Sequence, residues 1–103
     1  MRYIADHDFH IHSTISPCCH DEEQIPENII KAAKDNGLKT ICLTNHLWDE
    51  AVKSHLEWHP KQRFSCLSSV LPLPQDDEVE FLFGAEADMD YEYNVGVSEE
   101  RYK

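Results

Sequence analysis

The stretch PENIIKAAKDNGLKTICLTNH, residues 26 to 46, limits what this chain can fold into more than any other part of it. Pro26 suits the first position of a helix, where its missing N–H costs nothing. Glu27 follows in the first turn, where a negative charge meets the positive end of the helix dipole. Ile29, Ile30, Ala32 and Ala33 give an apolar stripe, and Gly37 fits the C′ position because it takes a left-handed backbone without strain. LKTICLTNH comes next, a short apolar run rich in β-branched residues that predicts a buried strand. Upstream, residues 2 to 12 alternate as a strand with Tyr3, Ile4, Phe9 and Ile11 as its apolar members. Residues 13 to 25 read as a loop interrupted by Pro17. Strand, loop, helix, strand is a βαβ unit. It implies a parallel pair with a right-handed crossover and places the chain in the α/β class.

Further along, residues 48 to 59 carry a weak helical period through Trp48, Val52, Leu56 and His59. Residues 60 to 78, with Pro60, Pro72 and Pro74, predict mostly loop with one short helical stretch. VEFLFGAEAD then predicts a third strand, apolar on both faces, that ends in Gly84 and two acids. The tail from Tyr91 shows little organisation. With 103 residues, no repeat and no linker, the chain is at most one small domain. Its net charge of −11 disfavours nucleic acid or anionic membrane as partners, since both require a basic surface. Bound cations would offset part of that charge, although most acidic proteins are simply soluble. No run of about 18 apolar residues is present to span a membrane, and MRYIADHDFH reaches charge too early for a secretory signal. The four cysteines, Cys18, Cys19, Cys42 and Cys66, form no C-x-x-C pair. They are expected to be reduced, with Cys42 a buried thiol, in a cytoplasmic protein.

The polar residues cluster at particular places. His10 and His12, Asn45 and His46, and Glu86 and Asp88 each lie at or near the C-terminal end of a predicted strand. Parallel α/β sheets gather those ends on one rim, where ligands bind. Strict alternation along DFHIH sends Asp8, His10 and His12 to one side, with Phe9 and Ile11 on the other. Strand residues two apart have Cα atoms roughly 6.5–7 Å apart, so two imidazoles can converge on one cation. Asp8 on that face is placed to orient a ligand histidine or to touch a metal itself. Glu86 follows Gly84, which lets backbone approach closely, and a carboxylate there is costly to bury unless paired or metal-bound. In the loop after the first strand, His20 or Asp21 could complete a further metal position, Asp21 being preferred over His20, Cys18 and Cys19. His7 falls on the opposite face and is assigned a structural role; His55 and His59 are assigned to the surface. Each residue alone has a bland reading: H-x-H is a weak motif, His46 fits a hydrogen-bonded loop, and Glu86 fits a solvated strand end.

Together, DFHIHSTIS, ICLTNH and FGAE resemble, in order and rough spacing, the first three motifs of the PHP (polymerase and histidinol phosphatase) domain family. That pattern is D-x-H-x-H-[ST], then T-D-H, then G-x-E, and the likeness extends from residue 3 to about residue 90. The resemblance implies a distorted seven-stranded β/α barrel, (β/α)7 and TIM-like, with parallel strands and crossover helices. It also implies two or three divalent metals (zinc, manganese or iron) at the C-terminal rim, and hydrolysis of a small phosphorylated substrate such as histidinol phosphate. Carried over by motif, His10 and His12 bind the first metal and Glu86 bridges two. His46 helps to bind another, with Asp21 or His20 from the loop. Bound metals would activate water as the nucleophile and neutralise the phosphate oxygens.

Two departures accompany the likeness. Asn45 stands where the motif has aspartate, keeping a carbonyl oxygen but losing the charge. A TIM-like barrel also needs roughly 200 residues or more, so residues 1–103 are expected to form an incomplete domain: the first three βα units, with exposed strand edges available for self-association. The contrasting expectation is a metal-binding or interaction fragment without catalysis.

Overall fold

Three short parallel strands form the centre of the molecule. A computed structural model describes residues 5–54 and 56–102. The predicted strand residues Tyr3 and Ile4, and His55, lie outside the described residues. Strand β1 (His7–Ile11) pairs with β2 (Thr40–Leu43), and β2 pairs with β4 (Glu80–Phe83), in the order β1-β2-β4. The sheet is open, with β1 and β4 at its edges, and among the described residues no barrel closes. Beyond a two-residue break, the second and third strands resume as β3 (His46–Leu47) and β5 (Glu86–Ala87), again parallel. The mixed α/β class and the parallel pairing expected from the sequence are both present.

Helix α1 (Pro26–Asp35) begins at its proline and ends as its sequence requires, with Gly37 at φ 76° just past the C-cap Asn36. Its buried Ile29, Ile30 and Ala33 pack on one face of the sheet against Ile41, Leu43, Val79 and Phe81, with Leu73 closing the cluster. Ile41 and Leu43 have no solvent exposure. Each such side chain contributes about 1.5–3 kcal/mol of burial. This one layer of apolar contacts fixes the sheet beneath the strand ends.

The chain after β3 departs from expectation. Among the described residues, the weak helical period over residues 48 to 59 produces no helix before His59. Local side-chain bonds take its place: Asp49 Oδ1 accepts from the Ala51 N–H at 3.1 Å, and the Trp48 indole N–H donates to the Val52 carbonyl at 2.9 Å. Helical structure starts only with a 3₁₀ turn at His59–Gln62, followed by α2 (Phe64–Leu67) and a second 3₁₀ turn at Ser68–Val70. His59, assigned to the surface, is 2% exposed. Its ring stacks on Trp48 at 3.8 Å between centroids and contacts Ser54 Oγ. Burial pushes its pKa down, only partly offset by Asp88 and Asp90.

The tail is better organised than its composition suggests. Gly96 lies so close to Trp48 that an added Cβ would sit 2.5 Å from the indole. Beyond it, α3 (Glu99–Tyr102) is tied back by buried Asp49, whose Oδ2 accepts from Ser98 Oγ at 2.6 Å and from Arg101 Nε at 3.4 Å. Arg101 also covers the Phe64 ring at 4.2 Å. Among the described residues no helix is long and apolar enough to cross a membrane.

The hydrogen bond from Ser98, with help from Ala51 and Arg101, holds the Asp49 pKa at about 2 against a burial cost that acts in the opposite direction. A carboxylate lowered from 3.8 contributes stability that is complete above that value and is lost as pH falls toward 2. The expected outcome is therefore a loss of stability between about pH 4 and pH 2. Asp49→Asn should abolish that part of the pH dependence, as measured by urea unfolding across the range. An identical acid profile in the variant would show that Asp49 is not the group responsible.

Candidate metal centre

The strand register determines what meets at the rim. Leu43 is paired with Phe83, and three residues later His46 is paired with Glu86, so both strands cross the break without losing step. Backbone bonds from Gly84 N to Leu43 O (2.8 Å), Glu86 N to Asn45 O (3.0 Å) and Asp88 N to Leu47 O (3.2 Å) carry the ladder across. Gly84 permits this closeness, since a Cβ there would lie 3.1 Å from Cys42 Sγ. On the other side, Ile11 is paired with Leu43, and Thr44 N donates to Ile11 O at 2.7 Å, bringing His12 to the same level.

Glu86 Oε2 is the hub of the site. It lies 2.7 Å from His12 Nε2, 3.2 Å from His10 Nε2 and 3.6 Å from His46 Nδ1. The His46 Nδ1 also meets Asp88 Oδ1 at 2.7 Å, and the other oxygen of Asp88 accepts from Gln62 Nε2 at 2.6 Å. The His12 ring sits 5.2 Å from His10 and 4.5 Å from His46 between centroids. Four of the five ligands expected from the sequence are thus together: His10, His12, His46 and Glu86. Among the described residues, imidazoles and an amide, rather than lysine or arginine, surround the two carboxylates.

The donor set suits a divalent cation. Ligand atoms around a tetrahedral zinc are about 3.3–3.6 Å apart; the Glu86 separations to His10 and His46, 3.2 and 3.6 Å, are near that range, whereas the 2.7 Å to His12 is a hydrogen-bond length. One ligand atom each from His10, His12 and Glu86 falls within 4.8 Å of the others, and the same holds for His12, Cys18 and His46.

Asp21 belongs to neither group. Its Oδ1 accepts from the Glu23 N–H at 2.9 Å, and it serves the turn before α1. Cys18, over which Asp21 is preferred from sequence, is the loop residue beside the histidines, with Sγ 3.2 Å from His12 Nδ1; His20 is exposed. Asp8 does not share the histidine face. The register shifts between Asp8 and Ile11, a β-bulge that breaks the alternation. Asp8 then lines a surface cleft with Ile11 and residues of α1, and its carboxylate accepts from the His10 N–H at 3.0 Å.

Asn45 also turns from the cluster. At 2% exposure, its Oδ1 accepts from the Ser13 N–H and from Ser16 Oγ, both at 2.7 Å, and its Nδ2 donates to Ser13 Oγ at 2.9 Å. Ser16 Oγ in turn accepts from the His46 N–H at 3.2 Å. The amide knots the loop after β1 to the strand that carries His46. Aspartate would lack the Nδ2 donor of that knot and would bury a charge.

Three residues of this site were given no ligand role from sequence. Asp88 was grouped with Glu86 at the strand end but not among the ligands. Cys18 had only its proximity in the loop as a signal, and Gln62 had none. Comparison of the chain with family models, curated proteins and solved structures returned no match.

Asn45→Ala is expected to cost about 1–3 kcal/mol, because it strands the buried Ser13 and Ser16 groups. The loss should appear in denaturant unfolding together with a shift of the His46 imidazole NMR signals. Unchanged stability would mean that the loop is held by other contacts.

Proposed function

We propose that the chain forms three consecutive strands of a PHP-type, TIM-like barrel, and that its strand ends hold divalent zinc, manganese or iron for phosphomonoester hydrolysis of the histidinol phosphatase kind. The observation that carries this reading is the convergence of His10, His12 and His46 on one oxygen of Glu86. These four residues are among those on which the family resemblance rests. The metal supplies Lewis acidity toward phosphoryl oxygens and an activated water.

The chain's own residues divide the remaining work. Glu86 meets the three imidazoles, Asp88 orients the His46 ring, and Gln62 holds Asp88. His10, with 66% of its side chain exposed, marks the side from which a phosphate arrives. At a net charge of −11 the surface repels such an anion, so attraction has to come from cations at the rim. The thiols are free, which suits a cytoplasmic protein. The open edges at β1 and β4 offer backbone groups to a further strand or to a second copy.

One observation favours a metal-binding module without turnover: the exposure of His10 leaves the site open to water. Both readings are tested by loading the protein with Zn²⁺ or Mn²⁺, measuring bound metal, and assaying a chromogenic phosphate monoester. Turnover above the metal-only blank is expected, with at least a 100-fold loss (about 2.7 kcal/mol) in His12→Ala and Glu86→Gln. Stoichiometric metal without turnover would select the non-catalytic module. Turnover unaffected by His12→Ala would remove this site from the reaction.

A further inference from the structure

The rim holds two ligand groups that share His12, and they differ in chemistry. His10, His12 and Glu86 offer nitrogen and oxygen; His12, Cys18 and His46 offer nitrogen and sulfur. The shared ring faces both. Its Nε2 is toward Glu86 at 2.7 Å and its Nδ1 toward Cys18 at 3.2 Å. We propose that Cys18 is a thiolate metal ligand, completing a second metal position with His12 and His46 and making that position selective for zinc over manganese or magnesium. The inference rests on the metal reading above but assigns a residue which that reading does not use.

Three observations support it. The N···S distance of 3.2 Å is near the spacing of about 3.5 Å between nitrogen and sulfur ligands of one tetrahedral zinc. The loop that carries Cys18 is not free to wander. Its position is set by Asn45 through Ser13 and Ser16, and by backbone bonds from Ser16 N to Ser13 O (3.0 Å) and Cys19 N to Ser16 O (2.9 Å). Neighbouring Cys19 points elsewhere, with its Sγ directed at the Asp21 carbonyl at 3.9 Å. One of two adjacent thiols therefore faces the imidazoles while the other does not.

Ligand softness gives the consequence. Thiolate favours zinc, whereas manganese and magnesium prefer oxygen ligands. The group around Glu86 accepts either class, and the group around Cys18 does not. Metal preference at the rim is thus set by a loop residue rather than by the strand residues.

Cobalt(II) makes the thiolate visible. Anaerobic titration of the reduced protein with Co²⁺ should produce a near-ultraviolet sulfur-to-cobalt charge-transfer band. The band should be lost in Cys18→Ser and retained in Cys19→Ser and His10→Ala. Zn²⁺ affinity should fall by at least about 100-fold in Cys18→Ser, since even supporting contacts to ligands are worth roughly 10–100-fold. Manganese affinity should change far less. Cys18 is exposed, so its replacement by serine leaves the apolar packing intact, and far-ultraviolet CD verifies the fold. Absence of the band in the unsubstituted protein, or its persistence in Cys18→Ser, overturns the assignment. Phosphoesterase turnover without the band would defeat this inference alone; the band without turnover would uphold it and defeat the catalytic reading.

Discussion

The candidate site depends on one constraint, the unbroken parallel register between the second and third strands. Leu43 opposite Phe83 becomes His46 opposite Glu86 only because both chains spend the same number of residues in the break. A one-residue slip in either would turn its side chain to the other face of the sheet. The register is secured below the break by Ile41, Leu43 and Phe81 packed under α1, and above it by Glu86 N and Asp88 N donating to the opposite strand. The apolar layer fixes the geometry and the polar rim uses it. Disturbing the core would therefore blunt the site without touching a ligand.

The loop after β1 needs a different kind of support, because it has no apolar anchor of its own in the cluster under α1. Asn45 provides one through hydrogen bonds. Ser13 is fully buried and Ser16 is 2% exposed, and a hydroxyl at that depth is costly unless bonded. Asn45 meets these needs together, accepting twice and donating once. Asparagine at this position has a physical logic of its own. The amide supplies both donor and acceptor where a carboxylate supplies only acceptors, and no charge is buried.

The parts of the fold legible in the sequence were those determined by local rules. Pro26 and Gly37 bound α1 because their effects on backbone conformation need no tertiary context, and TICL and EFLF read as strands from their apolar runs. Motif spacing also brought out His10, His12, His46 and Glu86. The failures have a common origin in contacts between residues distant in sequence or in local hydrogen bonding. Nothing near His59 announces that it will stack on Trp48, and the helical period through Trp48 and Val52 loses to the turn bonds of Asp49. Asp8 left the histidine face because of a bulge, which a period-two rule cannot contain. Asp21 looked suitable as a ligand by charge, but its carboxylate serves the adjacent turn.

These two kinds of support give the rim two kinds of ligand. His46 and Glu86 sit on strands whose backbones are bonded on both sides of the break, so their spacing is fixed before any cation arrives. Cys18 sits on a loop held by three hydrogen bonds to a single amide. Rigid strand ends supply the positional accuracy that metal chemistry demands. A loop ligand can change identity, from thiol to carboxylate or imidazole, without disturbing the sheet. Under the metal reading proposed above, the strands would determine that a cation binds and the loop would determine which one. His12 lies where these two functions meet, one ring nitrogen facing the strand-borne carboxylate and the other the loop-borne thiol.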